Sequence, residues 1–172
     1  IITFEWPADV KGTRMLTWSH KKKSDDQWLF LPSLNRVKRI TSRNKSGSFM
    51  GSEFAYEDLG SQEVEKYKGY IYLGDDEVNG RKAWKLQRTP VDRKSGYSKQ
   101  VVWMDPEYQQ ALKTEYYDRR GELLKTMVLS GYKKFGNYWR AAKIDVTNHQ
   151  TSKRSELVWR ERSLGAEVDE SM

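Results

Sequence analysis

The chain has 172 residues, of which 37% are hydrophobic and 32% charged, and it contains no cysteine. This length suffices for a buried core, and the lack of cysteine excludes disulfide scaffolds, Cys/His metal sites and cysteine nucleophiles. The net charge of +7 favours an anionic partner, for which nucleic acid, anionic lipid head groups and a negatively charged membrane surface are all open.

Short runs of β-branched and aromatic residues, each ending at turn residues, predict an antiparallel, mainly β protein. Turn dipeptides such as Asn79-Gly80 and Arg120-Gly121 join neighbouring strands, so we expect one long meandering sheet with one face in water. In chain order, the predicted strands are residues 1–6, 13–19, 27–31, 36–41, 66–73, 81–89, 97–105, 112–118, 123–135, 138–148 and 153–160.

Residues 46–66 interrupt this β pattern. Met50, Phe54 and Ala55 recur there at helix-like spacing, which predicts short helical or looped segments that cover one face of the sheet. We expect residues 1–172 to form a single domain. Because the chain begins directly with strand residues, we also expect it to be part of a longer precursor.

Motifs for catalysis are missing from the sequence. It has two histidines and no Gly-x-Ser-x-Gly elbow, phosphate-binding loop or dinucleotide fingerprint. Acidic pairs such as Asp25-Asp26 and Glu57-Asp58 are interpreted as solvated turns. We therefore predict a protein that is not an enzyme, with no catalytic residue, metal or cofactor.

The aromatic residues are in excess, with seven Trp, ten Tyr and five Phe. Large rings of this kind serve equally in a packed core or along an apolar groove, and both interpretations stay open. The basic run at residues 36–40 is compatible with a protected edge strand. No signature of a sheet-based nucleic-acid binder accompanies it, so we predict no nucleic-acid partner.

Two parts of the chain resemble a known family. Residues 28–40 and 45–59, the latter with the string Ser-Gly-Ser-Phe-Met-Gly-Ser, closely resemble bacterial outer-membrane lipoprotein-sorting proteins, which are relatives of the periplasmic carrier LolA. Residues 102–106, 113–118 and 147–151 resemble the later strands of that family. The resemblance implies an unclosed antiparallel β-barrel whose concave face is covered by short helices, with the N-terminal part of the full-length protein lying outside this chain.

The resemblance also implies a function. Such proteins are exported to the periplasm from precursors with a signal peptide, and they shield lipoprotein acyl chains, for which each exposed methylene costs about 0.8 kcal/mol in water. We therefore expect a periplasmic carrier of lipid or lipoprotein acyl chains, with a membrane transporter or an outer-membrane receptor as partner. The alternatives are a structural adaptor of an RND-type exporter that binds protein rather than lipid, and a polyanion-binding module.

Two sets of residues follow from this interpretation. Basic side chains at the rim are expected to attract anionic head groups or an acidic partner, and these are Arg36, Lys38, Arg39 and Arg43. The expected lining of the hydrophobic groove is Phe49, Met50, Phe54, Trp84, Leu86, Trp103, Met127 and Leu129.

Overall fold

The computed structural model describes residues 1–6 and 8–162, and its first four strands form one antiparallel sheet, the small sheet. Alternation places Met15, Leu29 and Ile40 on one side of it, where each is at most 6% exposed. We call this side the inner face of the small sheet and the opposite side its outer face. The strands lie side by side in chain order: β1 (Ile2–Thr3), β2 (Arg14–Trp18), β3 (Asp26–Leu31) and β4 (Arg36–Ile40).

Nine further strands follow in the described part of the chain. They are β5 (Tyr67–Val78), β6 (Arg81–Pro90), β7 (Tyr97–Asp105), β8 (Gln110–Asp118), β9 (Leu123–Ser130), β10 (Lys133–Phe135), β11 (Tyr138–Arg140), β12 (Lys143–Asn148) and β13 (Arg154–Val158). Strands β10 and β11 form a separate hairpin. The other seven form the large sheet, which is antiparallel throughout and has the order β13-β12-β9-β8-β7-β6-β5.

One face of the large sheet carries a mainly apolar row that crosses five strands. The strand register aligns Val146, Met127, Thr114, Val102 and Leu86 in that row. Val146 has no exposed surface, and Val102 is only 3% exposed. We call this side the inner face of the large sheet.

Residues 41–66 connect the two sheets and lie between them. This cover segment contains the 3₁₀ helices Ser42–Asn44, Tyr56–Leu59 and Val64–Lys66, while another, Pro32–Leu34, precedes β4. Phe54 packs into the core of the large sheet, and Phe49 contacts the cores of both sheets. The apolar side chains of the segment are therefore buried against both the small sheet and the large sheet.

The predicted fold class is confirmed, because the described residues are mostly β and form no closed barrel. The prediction of one continuous sheet was wrong, since the cover segment separates the small sheet from the large one. The predicted strand 123–135 also divides at Gly131, which has a φ of +64°. Ala142 donates its N–H to the carbonyls of Ser130 and Gly131 there, and the β10–β11 hairpin leaves the sheet.

Strand β5 forms one edge of the large sheet and is irregular along its length. Its register with β6 shifts between Lys68 and Ile71 and again between Tyr72 and Gly74. Gly69 and Gly74, which have φ angles of +62° and +111°, lie at these β-bulges. None of the described helices has the length and apolar composition needed to cross a bilayer.

A buried ion pair fastens the cover segment to the large sheet. The Lys125 ammonium of β9 lies 2.5 Å from Asp58 Oδ2, and the two side chains are 4% and 0% exposed. Asp58 also accepts hydrogen bonds from the Ala55 N–H at 2.7 Å and the Tyr97 hydroxyl at 2.7 Å. Lys125 donates a second bond to the Glu53 carbonyl at 2.9 Å, so both charges are satisfied without water.

A second buried carboxylate joins the small sheet to the end of the cover segment. Asp25, next to β3, accepts from the His20 N–H at 2.8 Å, the Ser61 N–H at 2.7 Å and the Lys66 ammonium at 2.5 Å. Burial alone would raise the pKa of Asp25, but these donors outweigh it and hold the pKa below its usual value of 3.8. Asp25 is therefore ionised in the folded protein near neutral pH.

Replacing Lys125 with methionine should lower the free energy of unfolding by about 3–5 kcal/mol, because Asp58 would remain buried as an unpaired charge. Urea denaturation measures this difference. Lys68→Met, at an exposed position of β5, serves as the control and should change the free energy by less than about 0.5 kcal/mol. Equal losses in both variants would contradict the proposed role of the pair.

The contribution of Asp25 to stability should depend on pH. Because its pKa is lowered on folding, the contribution is fully present above pH 3.8, the unfolded value, and is lost as the pH falls through the folded value. The difference in free energy of unfolding between the parent and Asp25→Asn should therefore shrink below pH 3.8. Asp9→Asn, at an exposed turn, is the control, and a parent-to-Asp25→Asn difference that stays constant down to acid pH would refute the assignment.

Candidate functional site

The inner face of the large sheet extends beyond the cover segment as an apolar strip. Leu86 is aligned with Tyr72 and Val102, while Trp84 is aligned with Met104. Trp84 is 48% exposed and Tyr72 is 58% exposed, whereas Leu86 and Met104 are half-buried. We define the apolar strip as Tyr72, Trp84, Leu86 and Met104, a surface continuous with the core row.

A polar cavity of about 400 Å³ lies beside the strip, bounded by the small sheet, the cover segment and the large sheet. Tyr97, Gln100 and Tyr116 of the inner face contribute to its wall. Carboxylates from Asp25, Glu57, Asp58 and Asp92 line it as well. Five lysines also line it: Lys22, Lys23, Lys45, Lys66 and Lys94.

Arg88 marks the boundary between the cavity and the strip. Its Nε donates to Gln100 Oε1 at 2.9 Å, and its Nη2 donates to Gln62 Oε1 at 2.7 Å. The guanidinium carbon lies 3.7 Å from the centre of the Tyr67 ring, in a cation–π contact. Arg88 is thus held in place, two residues along β6 from Leu86 of the strip.

The titratable groups of the cavity are shifted mainly by burial. Burial raises the pKa of Glu57, although its carboxylate accepts from the Ser95 hydroxyl at 2.7 Å and the Gly96 N–H at 2.8 Å. Burial likewise raises the pKa of Tyr97 and Tyr116 well above 10, so both phenols stay neutral donors. Burial lowers the pKa of Lys45.

Gln27 presents an unused acceptor at this cavity. Its Nε2 donates to the Tyr56 carbonyl at 2.9 Å, but its buried Oε1 has no donor among the described residues. A buried amide oxygen without a partner costs free energy, which a bound group with an N–H or O–H would recover. The buried carboxylates of the cavity, by contrast, already have donors.

The structure separates the eight residues that the sequence predicts as the groove lining. Trp84 and Leu86 lie in the apolar strip, and Met127 lies in the row under the cover segment. Phe49, Phe54 and Leu129 pack in the core between the sheets, and Met50 packs against the core of the small sheet.

Trp103 is not brought together with the strip, because it points to the opposite face of the large sheet. It packs there with Ala83 and Leu112, and its indole N–H donates to Asp76 Oδ2 at 2.8 Å. The ammonium groups of Lys113 and Lys85 lie 4.0 and 4.8 Å from its ring centre.

The four predicted rim residues are also dispersed. Arg36 and Lys38 are exposed on edge strand β4. Arg39 lies on the outer face of the small sheet, over the Trp28 ring and paired with Asp26. Arg43 belongs to the 3₁₀ helix Ser42–Asn44.

The sequence pattern did not indicate Met104 and Tyr72 of the strip or the buried carboxylates of the cavity. The solvated-turn interpretation was wrong for Asp25, which is 5% exposed, and for Asp58, whose side chain has no exposed surface. Alternation alone would have placed Met104 beside Val102, but assigning that face to the groove requires the pairing of β7 with β6. In the described part of the chain, no group of three or more His, Asp or Glu is placed to hold a metal ion.

Comparisons with known proteins agree with this architecture. A family model that carries only the description of an uncharacterized protein matches residues 1–172, and no curated protein matches the chain. A candidate outer membrane lipoprotein-sorting protein domain from Vibrio parahaemolyticus is 52% identical, with a TM-score of 0.91, and the match covers 96% of this chain and 71% of that one.

Two further solved structures are similar. A DUF1329 family protein from Desulfovibrio piger is 30% identical, with a TM-score of 0.88 and coverage of 96% of this chain and 71% of that one. A LolA superfamily protein from Nitrosomonas europaea, at 22% identity, shares the fold with a TM-score of 0.68 over 90% of this chain and 66% of its own. The predicted resemblance is confirmed: the chain belongs to the outer-membrane lipoprotein-sorting protein family and has a LolA-like fold.

Proposed function

We propose that the chain is a non-enzymatic carrier or binding protein that holds lipid or lipoprotein acyl chains along the inner face of its large sheet. The observation that carries the proposal is the exposed apolar strip, which continues the buried row of the core. Similarity to a candidate lipoprotein-sorting domain from Vibrio parahaemolyticus supports the same class of ligand.

The strip has the chemistry that an acyl chain requires. Trp84 and Tyr72 present about half of their surface to water, and Leu86 and Met104 lie beside them. An acyl chain laid on the strip would remove apolar surface of both partners from water, at roughly 25 cal/mol for each Å². Affinity of this origin depends on chain length and only weakly on the identity of the ligand.

The polar cavity is suited to the polar end of the same ligand. Its lysines provide positive charge, and Gln27 Oε1 provides an acceptor for a donor group. Arg88 lies between cavity and strip, so head group and acyl chain would lie on its two sides. The proposal thus assigns the acyl chain to the strip and the head group to the cavity.

The family supports a setting for this activity. We place the protein in the periplasm, where it would exchange its cargo with a membrane transporter, including one of the RND type, or with an outer-membrane receptor. Similarity to a candidate outer membrane lipoprotein-sorting protein domain supports this setting.

Affinity for fatty acids should rise with acyl length. Each buried methylene is worth about 0.8 kcal/mol, so two more methylenes should tighten binding by roughly tenfold until the strip is filled. Displacement of a fluorescent fatty acid from the full-length protein, at low and high salt, measures this trend. If affinity does not depend on acyl length but falls steeply with salt, the protein is a polyanion-binding module instead.

The variant Trp84→Ala should weaken fatty-acid binding by roughly tenfold or more, because the ligand loses its largest apolar contact. Tyr138→Ala removes a 61% exposed ring from β11, outside the strip, and should leave affinity unchanged. Native mass spectrometry of each protein after periplasmic expression adds a count of co-purified lipid. Equal affinity and equal lipid content in both variants would remove Trp84 from the site.

A further inference from the structure

We propose that the outer face of the small sheet docks on an anionic membrane surface. This surface faces away from the cover segment and the cavity, so the proposal goes beyond the acyl-chain function and does not depend on it. The observations that carry it are a regular aromatic patch that contains two arginines and the concentration of positive charge in residues 1–45, the part of the chain that forms the small sheet.

The strand register builds the patch from three rows. Arg14, Phe30 and Val37 form the first row, and Leu16, Trp28 and Arg39 form the second. Trp18 and Asp26 form the third. Alternation directs these side chains away from the buried inner face of the same sheet.

The patch is open to solvent although it is largely apolar. Trp18 is 65% exposed and Val37 is 54% exposed. A shallow hollow of about 290 Å³ lies in the patch, lined by Arg14, Leu16, Trp28, Phe30 and Val37. Exposed apolar surface of this kind, edged by polar groups, marks a contact surface.

Positive charge is concentrated in the same part of the chain. Residues 1–45 contain ten Lys or Arg and four Asp or Glu, a net charge of +6, whereas the whole chain carries +7. Residues 46–172 are therefore nearly neutral. The cations of the patch itself are Arg14 in its first row and Arg39 in its second, the latter paired with Asp26 of the third row.

This combination fits a membrane better than an acidic protein. Tryptophan and tyrosine prefer the boundary between water and lipid, where the ring is apolar and the N–H or O–H remains wet. Lysine and arginine near an anionic leaflet attract it without any fixed partner geometry. Arg14 and Arg39 lie among the apolar side chains of an open sheet surface with only a shallow hollow, which suits a fluid layer of head groups.

The test is binding of the full-length protein to vesicles, measured by co-sedimentation and by the blue shift of tryptophan fluorescence. Vesicles contain roughly one part phosphatidylglycerol to two parts phosphatidylcholine, or phosphatidylcholine alone, each at low and high salt. Two double variants remove equal charge: Arg14→Gln with Arg39→Gln at the patch, and Lys133→Gln with Lys134→Gln on exposed β10 as the control. Trp18→Ser tests the aromatic part.

The parent should bind the anionic vesicles and lose binding at high salt or without phosphatidylglycerol. The patch double variant should bind about tenfold to thirtyfold more weakly, Trp18→Ser several-fold more weakly, and the control double variant nearly as well as the parent. No binding by the parent, or equal losses in both double variants, would overturn the proposal, and the latter would indicate unspecific charge attraction. Salt-sensitive capture of an acidic protein without vesicle binding would also overturn it.

The two proposals fail separately. Trp18→Ser should retain the fatty-acid affinity of the parent, since Trp18 lies on the opposite side of the small sheet from the cavity. Trp84→Ala should retain vesicle binding. If fatty acids do not bind but anionic vesicles do, the acyl-chain function fails and the docking surface stands.

Discussion

The position of the cover segment depends on the buried contact between Asp58 and Lys125. Neither charge reaches water, so each must find its partners within the protein, and the desolvation cost is offset only when the geometry is well satisfied. Asp58 meets this condition with the Lys125 ammonium, the Ala55 N–H and the Tyr97 hydroxyl. The pair therefore fixes the 3₁₀ helix Tyr56–Leu59, and with it the depth at which Phe54 enters the core.

Local sequence pattern predicted most strands and the cover segment, because both arise from short-range periodicity. Tyr97–Asp105 matched at both ends, since a turn precedes it and Pro106 follows it. The separation into two sheets was not predictable, because strand pairing joins residues distant in sequence. Trp84 and Trp103 demonstrate the same limit. Both are tryptophans in predicted strands, yet the strand register directs Trp84 to the strip and Trp103 to the opposite face, beneath Lys113.

The burial of charged side chains was also not predictable from the sequence. Asp25 and Asp58 stand in acidic pairs beside turn residues, a pattern that normally indicates solvated loops. Their partners, Lys66 and Lys125, lie 41 and 67 positions further along the chain, and only the packed structure brings them together. Most of the candidate site is assembled by such distant contacts, which is why its apolar half was partly predicted and its polar half was not.

The two β-bulges of β5 affect how the protein behaves beside other copies of itself. A long, flat edge strand with exposed Ile71, Tyr72 and Leu73 would offer a row of unpaired N–H and C=O groups to any extended chain. Between the bulges, however, only Ile71 and Tyr72 keep regular pairing with β6. An added strand would lose alignment at each bulge, so this edge displays Tyr72 beside aliphatic side chains without offering a long, regular template for fibril growth.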